Sequence, residues 1–454
     1  MEKTVTRPRK PPTKPVFIEG SLLRHILVMT GTGAVGLMAV FLGDLANIFF
    51  LGRLGDQSIV AAVGYASSIQ FLTISIGIGL AIAATSLVAP ALGAGHRGRA
   101  RRLSLNSHVW TFVVSSILSF LVWLAIDPLL GLLGATGRTL ELGGSYLSIL
   151  VPSLPLLSLG MTSAAVLRSI GDAKRAMYIT LAGAIANMIL DPILIFGLEL
   201  GIEGAAIASA TSRLVVVSIG IYGVVVVHGL VARLRMKALF GDAGPLAVVA
   251  VPAVLTNVAT PFANAYVTRA MAEFGDSAVA GWAILGRVMP VAFGAIFTLS
   301  GSIGPIVGQN YGAGSFHRMR EAFTLSLWVT AAFTLIAWVV LAALSQTLVD
   351  VFLATGDAER LILFFCRWLA PLFAFLGALF VSNAVFNTLR RAHISTMLNW
   401  GRATLGTIPF VMLGSSYAGA DGVLAANMAG GIVFGVIGVL MCYRLMDRIS
   451  QDAA

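Results

Sequence analysis

The chain has 454 residues, of which 57% are hydrophobic and 11% charged, with a formal net charge of +10. A soluble protein of this length carries about 25% charge, so a soluble enzyme or binding module is excluded, as is a nucleic-acid binder, which would need a soluble basic domain. Apolar stretches long enough to cross about 30 Å of hydrocarbon recur from end to end, without the alternating ten-residue segments of a membrane barrel.

The first 21 residues read as a basic cytoplasmic tail, with Lys3, Arg7, Arg9, Lys10 and Lys14 among prolines. No small-residue cleavage site precedes a short apolar core, so the tail is not read as a signal peptide. Twelve transmembrane helices are predicted, at 22–52, 58–91, 104–133, 144–167, 176–197, 203–230, 246–271, 277–308, 321–349, 360–388, 394–414 and 422–444. Lys and Arg gather in the tail, after the even-numbered helices and at the C-terminus; the opposite loops carry Asp56, Glu199, Glu203, Glu273, Asp276, Asp357 and Asp421. The positive-inside rule makes both termini cytoplasmic in a multi-pass protein of the cytoplasmic membrane.

In chain order, the first acidic residue at depth is Asp44 of helix 1, within "FLGDLANIFFLGRLG", with Asn47 one turn later. A charge there costs at least a few kcal/mol unless it has a use. In helix 5, Asn187 precedes Asp191 by four residues and shares its face. Pro192 then leaves a carbonyl free beside the acid. Helix 6 adds Ser209, Thr211 and Arg213. At about 1.5 Å per residue, Asp44 lies about 12 Å and Asp191 about 9 Å from the outer ends of their helices. Ser209 is level with Asp191 and Thr211 slightly deeper, so all are expected to converge on one pocket. Two carboxylates there would share a proton or hold one Na⁺ between them.

Arg213 is a candidate charge partner of Asp191, or else bonds free carbonyls at a helix break; Arg287 of helix 8 is the other cation at depth. Phe41, Tyr65, Phe71, Phe262, Tyr266, Trp282 and Phe293 are candidate linings of an apolar cavity, with packing or lipid contact the default for each singly. Cys366 and Cys442 read as buried thiols. The six histidines lie near cytoplasmic helix ends without metal-ligand spacing and read as surface residues. No nucleophile–base pair or metal cluster occurs at depth, so neither an enzyme nor a resident cofactor is expected, and no ring of charges suggests a channel.

The chain repeats once at an offset of about 219 residues. "LGAGHRGRARR" at 92–102 answers "YGAGSFHRMRE" at 311–321, "AAVLRSIGDAKR" at 164–175 answers "NAVFNTLRRAHI" at 383–394, and "GIEGAAIASA" at 201–210 answers "GADGVLAANM" at 419–428. Halves of six helices have the same orientation, so their axis runs along the membrane normal. The expected fold is an all-α membrane protein of two six-helix lobes, 22–230 and 246–445, joined by a cytoplasmic linker at 231–245 and followed by a cytoplasmic C-terminus at 446–454. Two like bundles with a cleft between them suit alternating access.

"FFLGRLG" closing helix 1, "GAG" with basic residues after helix 2, "NMILDPILIFG" in helix 5, "GIEGAAIAS" entering helix 6 and "GPIVGQNYGAG" closing helix 8 together resemble the multidrug and toxic compound extrusion (MATE) transporters over residues 20 to 445. The resemblance implies a two-lobed exporter of cationic, amphipathic organic compounds, driven by inward H⁺ or Na⁺. It puts Asn187, Asp191 and Ser209 at cation-site positions. Helices 7 to 12 have no Asp or Glu in their central spans, as in the DinF-type branch, whose site lies in the N-terminal lobe. Two departures stand out. The family's helix 1 commonly reads Asn-x-x-Asp, whereas here Asp44 precedes Asn47. Its usual helix 1 proline is also missing, leaving only the glycines at 31, 33 and 36 to permit a bend. A monomer is expected, and a flippase for a lipid-linked sugar or cell-wall precursor is the alternative function.

Overall fold

The computed structural model describes residues 15–453, so Lys3 to Lys14 of the expected basic tail lie outside the described residues. Among the described residues there is no strand. Ten helical runs are long and apolar enough to span a membrane: α1 (Leu22–Gly52), α2 (Gln57–Gly93), α3 (Arg97–Leu124), α4 (Gly137–Ile170), α5 (Ala173–Gly197), α6 (Gly201–Val227), α7 (Met236–Ala272), then Phe316–Ala343, Asp357–Thr388 and Ala392–Asp452. An eleventh, α8, is bent by 50° between Asp276–Ala292 and Gly294–Gly312. Phe316–Ala343 and Asp357–Thr388 are α9 and α10. The last run divides, because Ala418 (φ −138°) and Gly419 (φ 59°) leave helical geometry. Gly419 takes the left-handed backbone at little cost, giving α11 (392–417) and α12 (420–452). The result is the expected twelve spans.

The expected linker at 231–245 differs: α7 already begins at Met236. Gly241, Gly244 and Pro245 suggest a loop, but Asp242 accepts hydrogen bonds from Arg102 Nε (3.1 Å) and Asn106 Nδ2 (2.7 Å) of α3. These bonds hold the first turns of α7 against the first half, and tertiary contact overrides local propensity.

The two halves interlock at the end that carries the basic loops. Leu22, Ile26 and Met29 of α1 are buried with Ile303, Ile306 and Phe323 of the second half. Conversely, Leu246, Val249 and Ala250 of α7 are buried with Ala83 and Leu87 of the first. Each half thus lends its first helix to the core of the other. At the same end α2 and α8 meet backbone to backbone, since a side chain at Gly93 would strike the Gln309 carbonyl and one at Gly312 the Pro90 carbonyl. Gln309 also fixes the segment before α1. Its Oε1 accepts from Phe17 N (2.9 Å), and its Nε2 donates to Ser169 O of α4 (2.7 Å).

Candidate functional site

Asp191 stands in α5 one residue before Pro192, where the helix widens into a π-turn at Ile193–Gly197. Such turns rearrange local carbonyls and are frequent at functional sites. The Asp191 side chain is wholly buried. Its Oδ2 accepts from Asn187 Nδ2 (3.0 Å), four residues earlier, and from Asn47 Nδ2 of α1 (3.0 Å). Its Oδ1 has no donor, nor does Asn187 Oδ1. Buried acceptors normally find partners. Two that do not, one on a carboxylate, fit either a proton on the acid or a hard cation with oxygen ligands.

Asp44 lines a cavity of about 490 Å³ in the first half, with Asn47, Ser67, Gln70, Phe71, Tyr146, Asn187, Ser209, Ser212 and Arg213. It is exposed to that space and makes no hydrogen bond to Asp191. A step of three residues turns a helix by about 60° and moves it about 4.5 Å, so one of the helix 1 pair reaches Asp191 while the other faces the cavity. Asn47 is the one that reaches it. The expected direct pairing of Asp44 with Asp191 is corrected accordingly. α1 runs unbroken from Leu22 to Gly52, without the bend its glycines would permit.

Further expectations change. Arg213 is not the partner of Asp191. Its guanidinium donates to Leu150 O (3.0 Å), Ser153 Oγ (2.8 Å) and Gln70 Oε1 (3.2 Å). Those groups surround the 3-10 turn Val151–Ser153 that interrupts α4, so Arg213 satisfies the acceptors of a helix break. Arg287 is exposed and has no carboxylate partner among the described residues. Thr211 is not among the cavity-lining residues, whereas Ser209 and Ser212 are.

Of the seven aromatics, Phe71 lines the cavity. Trp282 and Phe293 are core residues, the latter stacked on Phe373 at 3.9 Å. Tyr65 and Tyr266 pack against apolar clusters, Phe262 lies on Trp400, and Phe41 lines neither this cavity nor the one between the halves. His108 is not a surface residue. It is buried in α3, with Nδ1 on Ser104 O (2.8 Å) and Nε2 on Ser163 Oγ (3.0 Å). Cys366 and Cys442 are free and buried.

Sequence reasoning missed Gln70 and Tyr146, although a glutamine in the apolar run of α2 was a visible signal. The expected cleft between the halves is present as a second cavity of about 400 Å³, but sequence reasoning did not name its lining. That cavity is lined by residues in pairs 219 apart: Ile78 and Phe297, Met161 and Phe380, Ala164 and Asn383, Arg168 and Asn387, Thr180 and Asn399. It therefore lies on the axis of the repeat. Met161, Ala164 and Thr180 line both cavities, so the two adjoin.

Outside the spans, Asp172 caps α5, accepting from Arg175 N (3.1 Å) and from His228 Nε2 (2.7 Å). Burial pushes its carboxyl up, but the bonds from His228 and Arg175 outweigh that and hold it well below the usual carboxylate range.

Comparison with known proteins fits this geometry. The family model described as MatE matches twice, over residues 34–193 and 252–413, once in each half. The chain is 32% identical over 438 residues to a FAD transporter of Shewanella oneidensis, covering 94% of this chain and 95% of that protein. It is 23% identical over 434 residues to the multidrug export protein MepA of Staphylococcus aureus, covering 94% of each. In fold it is similar to the crystal structure of a mutant of the Vibrio cholerae MATE transporter VcmN, with a TM-score of 0.89 at 24% identity over 94% of this chain and 97% of that one.

Proposed function

Because the chain belongs to the MatE family, whose members are transporters and not enzymes, we propose that it is a secondary antiporter driven by inward H⁺ or Na⁺. The cation binds in the first half at Asp191, Asn187 and Asn47, with Asp44 and Ser209 on the adjoining cavity wall. A small amphipathic organic compound occupies the cavity between the halves and is exported. The observation that carries this reading is the wholly buried Asp191, with two amides on one oxygen and no donor on the other.

A cation bound there stabilises one arrangement of the first half over another, and that difference is what coupling requires. The distribution of Lys and Arg supports a cytoplasmic basic face in the cytoplasmic membrane. The close contact of Gly93 and Gly312 with the opposite half at that face supports a state closed toward the cytoplasm.

Two readings of the substrate have support. The staphylococcal relative is named a multidrug export protein, which favours organic cations. The Shewanella relative is named a FAD transporter, and among the described residues no Asp or Glu lines the cavity between the halves, which favours an anionic flavin nucleotide. The test is export from proteoliposomes with pH and Na⁺ gradients imposed separately. Asp191→Asn should leave the protein inserted and abolish gradient-driven transport; transport at the wild-type rate in that variant removes the site assignment.

A further inference from the structure

We propose that the cavity between the halves is an anion site in which Arg168 and the amides of Asn383 and Asn387 hold the phosphate of an aromatic amphiphile. Its apolar body lies against Ile78, Phe297 and Phe380. The proposal rests on reading this cavity as the transported-substrate site, and it names the chemistry that the substrate brings.

Arg168 lies near the end of α4, half-buried, and lines the cavity. Its side chain makes no hydrogen bond or ion pair among the described residues. A guanidinium carries five donors in a planar fork, and withdrawing it from water without an acceptor is costly. The repeat places Asn387 at the position equivalent to Arg168, and Asn383 lies one turn before it on α10. The Oδ1 atoms of both asparagines are buried without a donor, and their Nδ2 groups make no hydrogen bond within the described residues. Amide orientation is assigned from partners, and a phosphate gives both side chains an acceptor for their N–H groups.

The wall behind is also cationic. Arg402 is 7% exposed, reaches Thr260 Oγ1 of the cavity lining at 3.4 Å, and among the described residues has no partner on Nε and no carboxylate beside it. Two arginines without counter-ions around a space that no acid lines give a positive potential. An organic cation would meet it unshielded, whereas the guanidinium fork matches phosphate oxygens in pairs. The volume of about 400 Å³ falls within the range of small-ligand pockets.

The full chain in lipid nanodiscs is titrated with flavin mononucleotide and with riboflavin, which differ by one phosphate. Flavin mononucleotide should bind at least about tenfold more tightly. Arg168→Gln should remove that preference while riboflavin still binds, and riboflavin binding serves as the control for folding. Arg168→Lys should restore part of it. Equal affinity of the two flavins for the wild-type protein, or an unchanged preference in Arg168→Gln, overturns the anion site. Competition by phosphatidic acid in the bilayer supports the site with a lipid phosphate as its source; competition by pyrophosphate alone supports a soluble one. Asp191→Asn should keep the phosphate preference. Loss of gradient-driven transport in Asp191→Asn, together with equal flavin affinities, leaves the antiporter standing and removes the anion site. A clear preference without transport under either gradient does the reverse.

Discussion

Gly93 and Gly312 stand 219 residues apart and make the same contact with opposite partners: the Gln309 carbonyl packs on Gly93 and the Pro90 carbonyl on Gly312. Gln309 and Pro90 are themselves 219 apart, so closure at the basic face obeys the two-fold repeat. Small residues let helix backbones approach this closely within a membrane. Because both contacts join α2 to α8 across the halves, they oppose the rearrangement that would open this face.

Gly312→Val should therefore favour the state open at the basic face. Overpacking costs about 1–3 kcal/mol, enough to shift a two-state population by about five- to 150-fold. A cysteine placed at Thr85, on the wall of the cavity between the halves, should be labelled from the basic side at least about fivefold faster in the Gly312→Val background. Equal labelling rates would show that this contact does not hold the face shut.

The twelve spans and the repeat were legible because hydropathy and a fixed offset are properties of the chain itself. The site was legible in part. Asp191 and Asn187 share a helix and a face, so spacing alone joined them. The contact from α1 was not legible, because Asp44 and Asn47 are one turn apart and depth counting cannot tell which side chain reaches α5. Arg213 was given two readings, and the choice between them depended on the broken turn of α4, which is invisible until Leu150, Ser153 and Gln70 are brought together. His108 was misread because its polar partners come from the same helix and from α4. The lining of the cavity between the halves escaped notice because each lining residue is ordinary until its mate 219 residues away faces it.

Arg213 should be needed for stability. Replacing it by Met leaves the Leu150 carbonyl, Ser153 and Gln70 without its donors at a buried helix break. Each hydrogen bond to a charged group contributes about 1.5–3 kcal/mol, so Arg213→Met should lower the thermal midpoint in detergent substantially. Arg213→Lys should rescue it poorly, since an ammonium cannot reproduce the planar fork. A midpoint shift of under about two degrees in the Met variant would rule out the structural role.

The Asp172 cluster sets a pH dependence at the basic face. Its folded carboxyl is held below the ordinary value of about 3.9. The stability it contributes is therefore fully present above about pH 4 and is lost as pH falls toward the depressed folded value. Asp172→Asn should lose about 1–2 kcal/mol at neutral pH, from weakened bonds to Arg175 and His228, and the gap to wild type should narrow below about pH 4. Thermal melts from pH 7 down to pH 3 read this directly; a constant gap across that range would contradict it.

The last expectation separates the two acids of the first half. Asp191 holds two amide donors, while Asp44 is exposed to the cavity beside it. Asp191→Asn removes the one carboxylate in direct contact with both amides, so gradient-driven transport should stop. Asn47→Ala removes one of two hydrogen bonds to a charged oxygen, worth about 1.5–3 kcal/mol, and should change the cation concentration at half-maximal transport by about ten- to 150-fold without abolishing transport. Asp44→Asn keeps the Asn47–Asp191 bond and should slow transport while leaving it gradient-driven. Exchanging the pair, Asp44→Asn with Asn47→Asp, brings a second carboxylate to the position that now donates an amide. Two carboxylates at that distance cannot both remain ionised easily, so they should share a proton or one Na⁺, and the pH profile of transport should move relative to wild type. The four variants in one proteoliposome assay, each with H⁺ and Na⁺ gradients applied separately, decide the matter. If Asp44→Asn is as inactive as Asp191→Asn, the coupling cation depends on the cavity wall as much as on the buried carboxylate, and the two acids act as one site despite making no direct bond.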